Sequence, residues 1–179
     1  IDATVGKPHV RVRVSPRGEL LALDWLIETG QQSKPTVENA AELDIMVLLP
    51  ADEVKVGDTW KEAFDVEISG APGLKKSIKL QREYTLESVE GNQASIALKT
   101  VVLTPLHSPE QESQLVSKTP RGKVTFDLVR GVVTSRTQKI DKVVVGFSGE
   151  DSKVQTLSTR TEELAPVQVS LEGTETATK

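Results

Sequence analysis

The sequence predicts a mainly β protein: one large, curled antiparallel meander with at most one or two short helices. Whether it closes as a half-barrel, a barrel or a sandwich is left open. Three observations carry this. Val, Ile and Thr make up 47 of the 179 residues, and these stiff, branched side chains pack well on a pleated surface. Apolar residues recur at every second position in most segments between residues 10 and 164. Short turn sequences separate those segments with no strand–helix–strand alternation, so sequential strands are expected to lie side by side.

The elements follow in order. Val10-Arg11-Val12-Arg13-Val14 alternates strictly, Ser15-Pro16-Arg17-Gly18 is turn chemistry, and Leu20 to Glu28 reads as the returning strand of a hairpin. That second strand carries Leu21, Leu23, Trp25 and Ile27 on one face and Leu20, Ala22 and Leu26 on the other, which predicts cover on both sides. A polar loop at 30–36 leads to a short helix expected within 37–49, ending before Pro50. Trp60, Phe64, Val66 and Ile68 share the face of the next strand, interrupted by Glu62. After a turn at Gly70-Ala71-Pro72-Gly73, Ile78, Leu80, Tyr84 and Leu86 form an apolar row opposite Lys79, Gln81, Glu83, Thr85 and Glu87. Glu90-Gly91-Asn92 reads as a tight hairpin turn. Ala94, Ile96, Leu98 and Val102 continue the sheet, and Ala97, Val101 and Leu103 predict two-sided burial near that strand's end. Residues 105–121 read as a long polar loop or edge excursion. Val124, Phe126 and Leu128 mark a strand ending at Arg130-Gly131; 132–147 follows as one long strand or two with a bend near Asp141. Ser148-Gly149-Glu150-Asp151 is a turn, and the last strand spans 153–164. Residues 1–165 are thus expected to form a single β-rich domain, with 166–179 a flexible tail poor in aromatics.

Composition narrows function by demotion. A net charge of −4, with no basic run longer than Lys75-Lys76, argues against nucleic acid as a partner. Six aromatic residues are few for gripping sugars or single strands by stacking. The absence of Cys removes disulfides, thiolate metal sites and thiol nucleophiles. No apolar stretch approaches the ~20 residues of a membrane-spanning helix, so no integral membrane segment is expected in this chain.

Leu49-Pro50-Ala51-Asp52-Glu53-Val54-Lys55-Val56-Gly57-Asp58-Thr59-Trp60 is the most distinctive stretch. It resembles the LP…V-x-V-G-D-x-W segment that precedes a β-meander in a family of uncharacterised exported bacterial β-rich proteins. Gly122-Lys123-Val124-Thr125-Phe126-Asp127, followed by Gly131-Val132-Val133, resembles the G-x-x-x-F-D…G-x-(V/L) element of the same proteins. Together the two cover residues 49 to about 165. The resemblance implies an exported domain of unknown function, periplasmic, cell-surface or extracellular, with any leader or lipid anchor preceding residue 1. It carries over no catalytic residues. The physical reading of the first motif is structural: Gly57-Asp58 turns the chain, and Trp60 plugs one end of the sheet. Phe64-Asp65 and Phe126-Asp127 raise a two-fold repeat, against which convergent strand patterning is favoured.

No residue is assigned a catalytic, cofactor-binding or metal-binding role, and no cofactor is implied. His9 and His107 each lie near Pro in expected loops, with neither G-x-S-x-G nor H-E-x-x-H. Of the clustered carboxylates, Glu62 and Glu67 fall on opposite strand faces, while Asp65 shares the face of Glu67. Asp141 with Glu150-Asp151 lacks the ligand spacing of a calcium loop. The favoured reading is therefore a non-catalytic binding or interaction domain of the bacterial envelope, its partner another envelope protein or an apolar ligand. The alternatives are a carrier of an apolar, lipid-like ligand in a curled sheet and, last, a hydrolase of an envelope polymer.

Overall fold

The computed structural model describes residues 10–26, 47–70 and 74–165. It contains a two-stranded hairpin, β1 (Val10–Val14) and β2 (Leu20–Trp25), and a six-stranded antiparallel sheet. The sheet comprises β3 (Thr59–Ser69), β4 (Lys75–Glu90), β5 (Gln93–Val102), β6 (Arg121–Asp127), β7 (Val132–Val145) and β8 (Lys153–Glu163). Each strand pairs with the next in sequence, and β3 and β8 are not paired with each other. The sheet is an open meander rather than a closed barrel.

Alternation sets the two faces. On β4 the inward row is Ile78, Leu80, Arg82, Tyr84 and Leu86, all buried, while Lys79, Glu83 and their neighbours face outward. The inner face carries two apolar clusters. Val47 and its neighbours from the 47–54 segment cap the first, over Tyr84, Leu86, Ile96, Leu98 and Val124. Helix α1 (Pro109–Leu115) covers the second, inserting Leu115 against Val66, Ile68, Ile78 and Leu80. Between the clusters runs a polar belt in which Glu62, Arg82 and Thr100 stand directly opposite one another on β3, β4 and β5.

Both distinctive motifs have a structural job. In the first, Gly57 adopts φ 98°, its amide donates to Leu86 O at 2.8 Å, and Asp58 Oδ2 accepts from the Lys55 amide at 2.8 Å. This turn launches β3. Trp60 then stacks on Tyr84 (centroids 5.5 Å apart) and donates from Nε1 to Leu48 O at 2.6 Å, closing the first cluster as expected. In the second motif Asp127 ends β6. Its Oδ1 accepts from the amides of Val129 and Arg130, and Gly131 turns the chain at φ 66°. Phe64 lies mid-strand and Phe126 at a strand end, so the two Phe-Asp pairs are not equivalent and mark no repeat.

The Arg130 amide, assisted by the amide of Val129 and the side chain of Gln93, holds the Asp127 carboxyl below its ordinary pKa. A folded-state pKa below the unfolded one contributes stability above the ordinary carboxylate value of ~4, and that contribution is lost as pH falls through the folded value. The stability difference between wild type and Asp127→Asn is accordingly expected at pH 7 and should shrink in urea titrations repeated below pH ~4. A difference that persists unchanged in acid would refute this role.

Several expectations need correction. Residues 105–121 are not merely loop: α1 and a 3-10 turn at Val116–Lys118 lie within them. Ser108 caps α1 by accepting from the Gln111 amide, Pro109 occupies its first turn, and Gln114 ties it to Ser69 with two hydrogen bonds. Two-sided burial fails for β2, where Leu21 is 55% exposed, and for the end of β5, where Leu103 is 47% exposed. β6 stops at Asp127, before Leu128, whereas β7 is one continuous strand, the first of the two forms the sequence allowed. The helix expected within 37–49 falls largely outside the described residues, and 47–49 are not helical. Also outside them lie His9, residues 27–28 of the second hairpin strand, residues 71–73 of the expected turn and the 166–179 tail.

Candidate functional site

The site is assembled by three pieces of chain meeting above the far end of β6 and β7. The first is the β1–β2 turn. Gly18, at φ 85°, lies so close to the 47–49 segment that a Cβ would fall 2.3 Å from Val47 O. Only glycine permits that approach, which the hydrogen bond from the Leu49 amide to Arg17 O (2.7 Å) then fixes. The second is the 47–49 segment itself, and the third is the β6–β7 hairpin.

A bulge on β7 shapes the floor. Thr125 opposes Ser135 and Phe126 opposes Val133, leaving Thr134 as the extra residue. In regular alternation Val133 and Arg136 would point to opposite faces. The bulge shifts the phase by one, so both face inward, one opposite Phe126 and the other opposite Val124. Thr134 is held by its hydroxyl, 3.3 Å from both Thr125 O and Gln93 Oε1.

The result is a half-open groove of about 420 Å3. Val14, Val47, Leu49, Phe126 and Val133 give it apolar walls; Arg136 and Glu162 lie at its polar end. Arg136 is 2% exposed, with Nη1 3.9 Å from Glu162 Oε2, and Glu162 also pairs with Arg160. A buried guanidinium bordering apolar walls can hold an acidic or strongly polar head group while the walls take an apolar body. The lining hydroxyls are engaged elsewhere: Ser15 donates to Glu19, and Ser135 lies 3.1 Å from Thr125 Oγ1.

The residues weighed from sequence do not converge here. Glu62 joins Arg82 on the inner face, while Asp65 and Glu67 point outward, as the alternation predicts. His107 donates its amide to Gln111 Oε1, and among the described residues its side chain makes no hydrogen bond or ion pair. Among the described residues no three metal-ligating side chains come together. Sequence reasoning missed Arg82, Thr100, Arg136 and Gln138, the buried polar groups of the inner face. Arg82 was findable, since it occupies the apolar phase of β4; Arg136 was hidden by the bulge.

Fold and groove together define an open β-meander domain with a half-enclosed, mostly apolar recess. The chain belongs to a family of unknown function, DUF6263, whose model matches residues 42–142 and so spans both motif segments. No curated protein and no solved structure matches the chain.

Proposed function

We propose that this is a non-catalytic binding domain of the bacterial cell envelope that holds a small amphiphile in the groove between the β1–β2 turn and the β6–β7 hairpin. The observation that carries this reading is the meeting of apolar walls with the buried Arg136–Glu162 pair in a recess of about 420 Å3. Sites for small ligands span ~300–1,000 Å3 and combine apolar linings with a few polar groups that orient the ligand. The half-open shape suits a ligand whose tail is gripped while part of it stays in water. Envelope location is supported by the likeness of the Leu49–Trp60 and Gly122–Val133 segments to exported proteins.

The test is a titration with the anionic amphiphile 1-anilinonaphthalene-8-sulfonate under native conditions. Saturable one-to-one binding is expected, weakened about tenfold by Val133→Gln, which places an amide against the tail. Circular dichroism should be unchanged. Absence of saturable binding, or equal affinity in the variant, would rule the groove out as a ligand site. Fractionation of cells expressing the full-length protein tests location, and recovery with the cytoplasm would contradict that part.

A further inference from the structure

A second site lies on the opposite side of β6, where that strand is too short for its neighbours. Arg121 is the first residue of β6 and stands between Lys99 on β5 and Lys139 on β7. Beyond it the chain leaves the sheet through Pro120 and Thr119, while β5 runs on to Val102 and β7 continues past Lys142. Two strands with the intervening one missing are ~10 Å apart. That leaves a slot of about 320 Å3 lined by residues 100–102, Thr119, Arg121 and 139–142.

The charges around this slot are unusual. Across the outer face the register runs Lys61, Glu83, Lys99, Arg121, Lys139. Glu83 takes Lys99 at 2.7 Å and Lys61 at 3.5 Å, which satisfies the first three. Arg121 and Lys139 then face each other directly, and among the described residues the side chain of neither makes an ion pair or hydrogen bond. Like charges directly opposite in a ladder destabilise the sheet. Asp141, two residues along the same face from Lys139, forms an ion pair with neither. Lys142 is occupied by Glu112 at 3.0 Å.

We infer that this slot binds a phosphate-bearing ligand, with Arg121 and Lys139 on its oxygens. Two uncompensated cations in register match a doubly charged tetrahedral oxyanion, and the guanidinium fork can engage two of its oxygens at once. The volume exceeds a lone anion and leaves room for part of the group carrying it. Such chemistry is shared by soluble phosphomonoesters and phospholipid head groups. The site is separate from the amphiphile groove and stands or falls independently of it.

Two probes distinguish the sources: inorganic phosphate followed by backbone amide shifts, and sedimentation with phosphatidylglycerol vesicles against phosphatidylcholine controls, both at low salt. Arg121→Gln is expected to weaken binding about tenfold and Lys139→Gln similarly, with Asp141→Asn tightening it. Lys123→Gln, which removes an equal charge from β6 outside the slot, should change nothing. The Arg121→Gln protein should be at least as stable as wild type, because the substitution relieves repulsion, so lost binding could not reflect misfolding. Saturation by free phosphate with shifts centred on residues 121 and 139 supports a soluble phosphoester. Vesicle binding that depends on Arg121 and Lys139, without saturation by free phosphate, supports a head group. Failure of both probes, or equal losses from Lys123→Gln and Arg121→Gln, overturns the inference.

Discussion

Gly122→Ala is expected to destabilise the domain by about 3 kcal/mol or more. Gly122 lies on β6 opposite Leu98 and Gln138. A Cβ there would sit 2.0 Å from Thr137 O and 3.0 Å from Gln138 Cα. Both neighbours are backbone, so no rotamer change relieves the clash. β6 and β7 would have to part, opening the ladder that holds Arg136 in the groove and Lys139 beside the slot. Replacing Gly by Ala normally gains ~0.4–1 kcal/mol by restricting the unfolded chain, so a net loss of this size would come from the native state alone. Gly91→Ala is the control. At Gly91 φ is 57° but nothing lies within 4 Å of the added carbon, so only the conformational penalty of ~1–2 kcal/mol applies. Urea denaturation of the two variants should rank them clearly. A Gly122→Ala protein as stable as Gly91→Ala would mean that β6 and β7 are farther apart than described.

Alternation works while a strand keeps its phase, and Ile78, Leu80, Tyr84, Leu86, Ala94, Ile96 and Leu98 all face the interior as their spacing dictates. It fails at the Thr134 bulge, because an inserted residue changes the phase without changing composition. Arg136 is therefore almost wholly buried, although regular alternation from Val133 would turn it outward. Arg82 was masked differently. A charge in an apolar row is easily passed over as an exception, yet here its position in the row was the true signal and its partner lay on another strand.

Helix α1 was legible and passed over. Ser108-Pro109-Glu110, with Glu112 following, carries an N-cap, a first-turn proline and acidic residues where the helix dipole favours them. The surrounding polarity outweighed those signals because the helix buries little beyond Leu115. Open versus closed topology was never local information. Closure would require β3 and β8 to meet, which depends on the accumulated twist and curl of six strands rather than on any one of them. The groove shares that property, since Gly18, Val47, Phe126 and Glu162 are brought together only by the complete fold.

The polar belt yields the second large effect. Arg82 is 4% exposed, its guanidinium carbon lies 4.5 Å from the centre of the Phe64 ring, and its Nη1 sits 3.1 Å from Glu62 Oε2. Tyr84 donates to the same carboxylate oxygen at 2.9 Å. Removing one member of a buried ion pair costs ~3–5 kcal/mol because the remaining charge stays desolvated. Glu62 is 21% exposed, so water screens part of the pairing and a loss of about 2–3 kcal/mol is expected for Glu62→Gln. Arg82→Met should cost less, about 1 kcal/mol, since the orphaned carboxylate keeps Tyr84 and can turn toward solvent while the thioether fills the space over Phe64. The double variant Glu62→Gln, Arg82→Met removes both charges. It should lose about 2 kcal/mol, less than the sum of the single losses, leaving a coupling of about 1–2 kcal/mol in a double-mutant cycle followed by urea denaturation at neutral pH. Strictly additive losses would show that the two residues do not sense each other, and the belt would then be two separate polar contacts. A coupling of the expected size would instead mean that the pair fixes how β3 aligns on β4, because a register shift of one residue would turn Glu62 outward and leave Arg82 facing the apolar interior alone.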